Sequence, residues 1–401
     1  MQETTTTESV TTPAQQLFPF SFTGLTGDYF RIWIANIALT ALTLGIYSAW
    51  AKVRRLRFIY GHTVLSSQRF SYLAEPKQIL KGRIIAVGIV SIFSVLWNIL
   101  PDLRFPILGA GLVLVPALVV LATSFGMRNS AYRNLRFRFL RNFARAYRLL
   151  LTPLAVALLA AAALYSQIDA DGPFMESMRH AHNDDGSPFG KEGIVFTIFF
   201  MMILPLIPYL DYARVRFLVD NTCYGKINAR YGGGAWGFYK LYLVTYFLFL
   251  VVAGGIGALA AFLGGLSGKL PTATDPAAQL PGGWQVLAIV VPIYAVAFFV
   301  FGYFRARRTG LIFNQTAFGT HQLHAHMGAW QTGWLYLSNT VAAIFSLGLL
   351  IPWGSIRMIR YQLACTALVG PGLDEISAAE VDNASAFGEE MMDVLDLDLG
   401  L

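Results

Sequence analysis

The residues that could do chemistry in this chain are few, and most sit in apolar surroundings. Asn36 and Asn339 each lie nine residues before a glycine, Gly45 or Gly348, inside long hydrophobic stretches. A side-chain amide in that setting is costly unless a neighbouring helix supplies a partner. As a pair they could also line a polar site for a small solute, where transporters built from repeated halves hold substrate. Asn98 and the triplet Ser338-Asn339-Thr340 carry the same two readings, and hydrogen bonding between helices is the simpler one. Asp211, in YLDYARVRF, could relay protons, although an ion pair with Arg214 one turn away explains it more plainly.

The basic residues are the second candidate set. Arg54, Arg55, Arg57, Arg133, Arg136, Arg214, Arg216, Arg307, Arg308, Arg357 and Arg360 follow apolar segments or punctuate aromatic ones. They could hold anionic lipid headgroups or an anionic solute, each contributing on the order of 1 kcal/mol near an acidic leaflet. Anchoring on the cytoplasmic side needs no ligand and explains them equally. In RNSAYRNLRFRFLRNFARAYR, Arg128–Arg148, arginines interleave with aromatics and no acid is present. Flanking apolar segments favour a membrane-surface helix over a nucleic-acid contact, so the expected partners are the bilayer and a small solute, without nucleic acid.

Catalytic and metal constellations are not legible. In THQLHAHM, alternation puts His324 and His326 on one face and His321 on the other, with no carboxylate nearby. His180 and His182 with Asp184 and Asp185 form at most a loose cation cluster in a polar loop. YGGGAWG, Tyr231–Gly237, lacks the lysine and hydroxyl of a phosphate-cradling loop. Cys223 and Cys365 fit neither a metal spacing nor a disulfide framework. No nucleophile with its base and no paired carboxylates stand out, so the chain is expected to be neither an enzyme nor a cofactor protein.

The elements that would position these residues follow from composition. Of 401 residues, 55% are hydrophobic and 13% charged, with mean hydropathy +0.53. Soluble domains carry roughly 25% charged residues, so the composition predicts an all-α integral membrane protein. Six to eight membrane segments are expected, as a polytopic helical bundle with short cytoplasmic strand-like linkers. Apolar hairpins are read at Ile84–Leu100 with Phe105–Phe125, at Leu149–Tyr165 with Ile194–Tyr212, and at Leu241–Leu263 with Val286–Phe304. Tyr29–Trp50 and Trp330–Trp353 are outer segments that either cross once or turn back at Gly45 and Gly348, with Pro352 assisting. Turning back keeps Arg357 and Arg360 inside and is the better fit for the last unit.

Self-similarity organises the count. Asn36–Thr63 and Asn339–Thr366 align without a gap, matching Leu44-Gly45, Trp50, Arg54, Arg57 and Thr63 to Leu347-Gly348, Trp353, Arg357, Arg360 and Thr366. An aromatic followed thirteen residues later by threonine recurs at Trp50/Thr63, Tyr209/Thr222, Tyr303/Thr316 and Trp353/Thr366. RNLRF at Arg133–Phe137 matches RRLRF at Arg54–Phe58 less completely. About five units are expected, at 27–63, 72–142, 143–222, 233–316 and 329–366, within a transmembrane domain spanning 20–368. Residues 1–19 read as a disordered lead with no signal peptide, and 369–401 as a disordered tail with nine acids and no base. The segment FGEEMMDVLDLDL, Phe387–Leu399, could dock on a basic surface.

The stretch FTGLTGDYFRIWIANIALTALTLGIYSAWAKVRRLRFIYGHT resembles the opening signature of the YjgN family of bacterial proteins, LGLLIPW with RYQLACT its closing unit, and RNSAYRNLRFRF its middle. The resemblance covers roughly Phe20–Leu368 and leaves out the loop Gln167–Glu192 and the acidic tail. It implies a polytopic inner-membrane protein of uncharacterised activity and supplies no site residues. The function expected is a transporter or channel-like protein for a small or anionic solute. The alternative is a non-catalytic protein that organises membrane or binds a partner or anionic lipid.

Overall fold

Thr63–Tyr72 holds a tight hairpin, and hairpins like it join into a barrel. The computed structural model describes residues 15–169, 201, 204–266 and 283–372. Within them, ten short strands close into an antiparallel barrel. They are β1 (Gln16–Phe22), β2 (Thr63–Leu65), β3 (Gln68–Tyr72), β4 (Ser130–Tyr132) and β5 (Leu135–Phe139), then β6 (Thr222–Tyr224), β7 (Ile227–Tyr231), β8 (Thr316–Phe318), β9 (His321–Ala325) and β10 (Thr366–Gly370). Each strand pairs with its sequence neighbours, and β1 pairs with β10 in the register Gln16↔Gly370 to Pro19↔Ala367, which completes the circle.

Helices fill every second connection. The pairs are α1 (Thr26–Leu42) with α2 (Ser48–His62), and α3 (Pro76–Ile99) with α4 (Arg104–Arg128). They continue with α5 (Phe143–Asp169) and α6 (Leu206–Asp220), α7 (Ala235–Leu266) and α8 (Gly283–Phe313), and α9 (Ala329–Phe345) and α10 (Ile351–Ala364). Because the strands alternate in direction, all these pairs rise from one end of the barrel, and the tight turns lie at the other. Each helix packs mainly on its chain neighbours, and α10 packs on α1, so the helices stand in a ring. The second helix of each pair rests on an odd-numbered strand: α2 on β3, α4 on β5, α6 on β7, α8 on β9 and α10 on β1.

The thirteen-residue threonine spacing marks the helix-to-strand junction. Thr63, Thr222, Thr316 and Thr366 open β2, β6, β8 and β10, and each hydroxyl donates to the carbonyl four residues back, at 2.7–2.8 Å. That bond occupies a carbonyl that the ending helix leaves without a partner. At β4 the same place is held by Ser130, whose Oγ donates to the Gly126 carbonyl at 2.9 Å.

Side chains fill the barrel lumen. Along β3, β5 and β7 the outward residues Arg69, Ser71, Arg136, Arg138, Asn228 and Arg230 are exposed. The opposite faces meet in one cluster containing Leu65, Tyr132, Tyr224 and Leu368, with Phe20, Phe70 and Phe137 against it. Eight strands already give an interior that side chains just fill, and here aromatic rings take up the added width of ten. Phe70 and Tyr132 have centroids 4.7 Å apart, and Phe137 and Tyr224 4.9 Å. The phenols are satisfied inside: Tyr132 donates to the Leu65 carbonyl at 2.9 Å and Tyr224 to the Tyr132 carbonyl at 2.8 Å. Burial pushes the Tyr132 phenol above its ordinary value, with Arg133 opposing, which keeps it an O–H donor at neutral pH.

This architecture corrects several expectations. The protein is not an all-α bundle of six to eight membrane segments. It is a closed barrel carrying helical pairs, and among the described residues three helical stretches are long and apolar enough to cross a membrane: Pro76–Ile99, Pro106–Arg128 and Ala235–Val252. The stretches read as linkers are the barrel itself. The basic run Arg128–Arg148 is not a surface helix, since Ser130–Phe139 forms β4 and β5. RNLRF lies in a turn and a strand, whereas RRLRF lies in α2, so their likeness is one of composition. The loops Gln167–Glu192 and Gly264–Gly283 fall largely outside the described residues, as does the acidic tail beyond Gly372, while Gln16–Pro19 and Val369–Gly370, read as disordered lead and tail, are paired strand.

Candidate functional site

The outer helical pairs are built differently from α3 and α4. The chain reverses after α1 through Gly45 at φ +94° and after α9 through Gly348 at φ +90°. At 17 and 15 residues, α1 and α2 reach roughly 25 Å, while the 24 and 25 residues of α3 and α4 reach roughly 36 Å. The short tips are strongly apolar on the outside, with Leu44 and Leu347 each 95% exposed. Their backbones are nonetheless satisfied within the turn: Gly45 N–H donates to the Thr40 carbonyl at 2.8 Å and Gly348 N–H to Ala343 at 2.7 Å. The Thr43 hydroxyl accepts from Tyr47 N–H, and Ser346 Oγ from Leu350 N–H, both at 2.9 Å. The α3–α4 tip instead carries Asp102 and Arg104.

Asn36 and Asn339 hold these pairs together and do not meet each other. Asn36 Nδ2 donates across its pair to the Ala51 carbonyl at 3.4 Å, and Asn339 Nδ2 donates to Gly354 at 3.1 Å. Gly354 lets the two helices come close here, because a Cβ there would lie 3.1 Å from Asn339 Cβ. Asn339 Oδ1 accepts from Arg357 at 3.3 Å, and the same arginine donates to Ser338 Oγ at 2.8 Å. Asn36 Oδ1 is buried with no partner. Asn98 is local, donating to the Ser94 carbonyl of its own helix at 2.7 Å.

Asp211 does not pair with Arg214, which is exposed. It takes a two-point contact from Arg308 of α8, Nε–Oδ2 2.8 Å and Nη2–Oδ1 2.5 Å, and accepts from the Tyr242 hydroxyl of α7 at 3.3 Å. Asp220, which carried no signal in the sequence beyond preceding a junction threonine by two residues, binds Arg145 of α5 at 2.5 Å and accepts from Tyr231 N–H at 2.9 Å. Helix α6 is therefore tied on both sides. Nearby, burial with help from Tyr212 and Asp211 pushes the Tyr231 phenol up to about 12.

The arginines separate into distinct roles. Arg57 donates to the Ala74 carbonyl at 3.0 Å and Arg360 to Gly24 at 3.2 Å, so each ties the second helix of one pair to the loop entering the next. Arg216 donates to the Tyr212 hydroxyl at 2.9 Å. Arg307 lies over the Tyr303 ring at 5.8 Å and Arg357 over Trp353 at 5.1 Å. Arg54 is exposed, Arg136 points outward from β5, and Arg133 sits in the β4–β5 turn.

Arg55 is left on a groove of about 800 Å³ bounded by α2, α9 and α10, with Tyr29 of α1 at one end. Its lining is polar near Arg55, Asn339 and Ser355, and apolar toward Ile344 and Leu347 at the α9–α10 tip. Lys52, one turn from Arg55, lies in the field of both Arg55 and Arg83, and Arg83 donates to the Ser48 hydroxyl. Among the described residues no carboxylate lines the groove. Sequence reading missed Lys52 and Arg83, although Lys52 lies inside the basic run that ends α2.

The family profile described as "Bacterial protein of unknown function (DUF898)" matches residues 18–394. The chain belongs to this family. The match reaches past Leu368 into the acidic segment and also covers the loop Gln167–Glu192, both beyond the extent expected from the motifs. Among named relatives, "Inner membrane protein YjgN" of Salmonella typhimurium strain LT2 is 24% identical over 372 residues, covering 87% of this chain and 88% of the relative. "Inner membrane protein YjgN" of Escherichia coli K12 is 31% identical over 113 residues, 28% of this chain and 27% of the relative. No solved structure matches.

Proposed function

We propose that this is a multi-pass inner-membrane protein, non-catalytic, that binds an anionic lipid in the groove between α2, α9 and α10. The headgroup sits at Arg55, and the acyl part runs along the apolar wall toward Leu347. What carries this reading is Arg55 on a groove whose described lining holds no carboxylate and is otherwise largely apolar. The barrel stands in the cytoplasm, as the exposed Arg69, Arg136, Arg138 and Arg230 around it favour. The helical pairs with their strands are copies of one unit. A channel through the barrel axis is the weaker reading, since aromatic side chains occupy the lumen.

The test is lipid retention by protein purified in mild detergent. Wild-type protein should carry anionic phospholipid enriched over its membrane content. Arg55→Glu should cut that enrichment by at least about fivefold, since each basic residue near a headgroup contributes about 1 kcal/mol. Ala343→Phe, which fills the groove wall, should reduce it as well. Retention in bulk proportion would sink the proposal, and flux of small anions into vesicles that Arg55→Glu abolishes would replace it with transport.

The α1–α2 and α9–α10 pairs are proposed to turn back inside the bilayer. Their exposed tips are apolar and their turn amides are paired, as backbone in lipid must be, because each unsatisfied group there costs several kcal/mol. In a protein lacking Cys223 and Cys365, single cysteines at Leu44 or Leu347 should resist membrane-impermeant thiol reagents applied to either side. A cysteine at Asp102 should label from the side opposite the barrel. Labelling of Leu44 from that same side would mean the short pairs cross.

A further inference from the structure

The turns that close the far end of the barrel are not alike. Where β6 meets β7 and β8 meets β9, the first turn residue is glycine, Gly225 or Gly319, each at φ +57°. Between β4 and β5 that place belongs to Arg133 at φ +47°, followed by Asn134 at +65°. Between β2 and β3, Ser66 and Ser67 sit at +46° and +65°. A left-handed backbone costs a residue with a Cβ about 1 kcal/mol that glycine avoids. Two adjacent turns thus hold strained side chains where their counterparts have none, and such strain gathers at binding sites.

Because β3 pairs with β4, the two strained turns lie side by side. They bound a polar hollow of about 590 Å³ lined by Ser67, Gln68, Arg69, Arg133 and Asn134, with no carboxylate among them. Nη1 of Arg133 is buried and meets no hydrogen-bond acceptor. An N–H cut off from both water and acceptor loses about 1–3 kcal/mol, more when charged, and a turn of the Arg133 guanidinium toward an anion in the hollow would restore it. Arg69 adds a second positive charge, and the Ser67 hydroxyl and the Gln68 and Asn134 amides add neutral donors. Several donors and two guanidinium groups around a small hollow suit a tetrahedral oxyanion with acceptors on every side.

We propose that this hollow binds a phosphate group, either free phosphate or the phosphate of a small soluble ester. It lies at the end of the barrel away from the helices, shares no residue with the groove, and stands whether or not the groove binds lipid. The test uses the full chain in detergent, melted at fixed ionic strength in chloride, in inorganic phosphate and in glycerol phosphate. Phosphate should raise the midpoint saturably, and a response to glycerol phosphate as well would assign the ester. Arg133→Gly should melt higher than wild type in chloride, because the strain is relieved, yet bind phosphate about tenfold more weakly. Arg69→Gln should weaken phosphate binding without raising the chloride midpoint. Equal midpoints in phosphate and chloride for wild type, or a full phosphate response in Arg133→Gly, would overturn the assignment.

Discussion

Gly302→Ala is expected to push α8 and α9 apart and to lower stability by about 3 kcal/mol, at the upper end of what overpacking costs. A Cβ on Gly302 would lie 2.3 Å from the Gly333 amide nitrogen and 2.4 Å from its Cα. Both are backbone atoms, so no side-chain rotation relieves the clash. The neighbouring contacts would go with it, because Phe299 stacks on Trp330 at 4.3 Å and Phe301 meets Tyr336 edge-on at 4.9 Å along the same seam. Without a strong hydrophobic drive between helices in lipid, close approach of small residues carries much of the association. Gly88→Ala is the control, since nothing lies within 4 Å of its Cβ position. Thermal unfolding in detergent reads the difference, and a Gly302→Ala midpoint equal to wild type would show that α8 and α9 can part without loss.

Asp211→Ala should be nearly as damaging, at about 3 kcal/mol, because it strands a charge. The side chains of Asp211 and Arg308 are only 12% and 24% exposed, and the guanidinium has no second carboxylate to turn to. Breaking one side of a buried pair costs far more than replacing both with apolar groups, which is often neutral. The double variant Asp211→Leu with Arg308→Met should therefore recover most of the stability lost in Asp211→Ala. If the double variant melts as low as the single one, the Tyr242 hydroxyl contact rather than the ion pair holds α6 against α7 and α8.

The barrel was hidden for physical reasons that particular strands make plain. Strands of three residues such as Thr63–Leu65, Ser130–Tyr132 and Thr222–Tyr224 are too short for alternation to emerge from a hydrophobic background. Two hairpins turn on Ser66-Ser67 and Arg133-Asn134, neither of which contains the glycine that marks such a turn. Closure depends on Gln16–Pro19 meeting Ala367–Gly370, a contact across almost the whole chain. What could be read was local: the threonine at four of the five helix-to-strand junctions, and the glycines where the outer pairs reverse.

The same division runs through the candidate sites. Asn36 and Asn339 stood out because an amide in apolar surroundings is rare, and their partners, Ala51 and Gly354, lie fifteen residues on. Asp211 drew notice too, but its partner sits 97 residues away on α8, beyond the reach of a helical spacing argument. Arg133 and Arg55 were visible only as members of a charged set. What distinguishes them is a backbone angle and a groove, and neither is written in residue type.

The joining of β1 to β10 also sets an order on biogenesis. The circle cannot be completed until Thr366–Gly370 has left the ribosome, by which time the chain of every helical pair has been made. Until then β1 and β9 present bare edges. Ring closure is thus the last pairing that the order of synthesis allows.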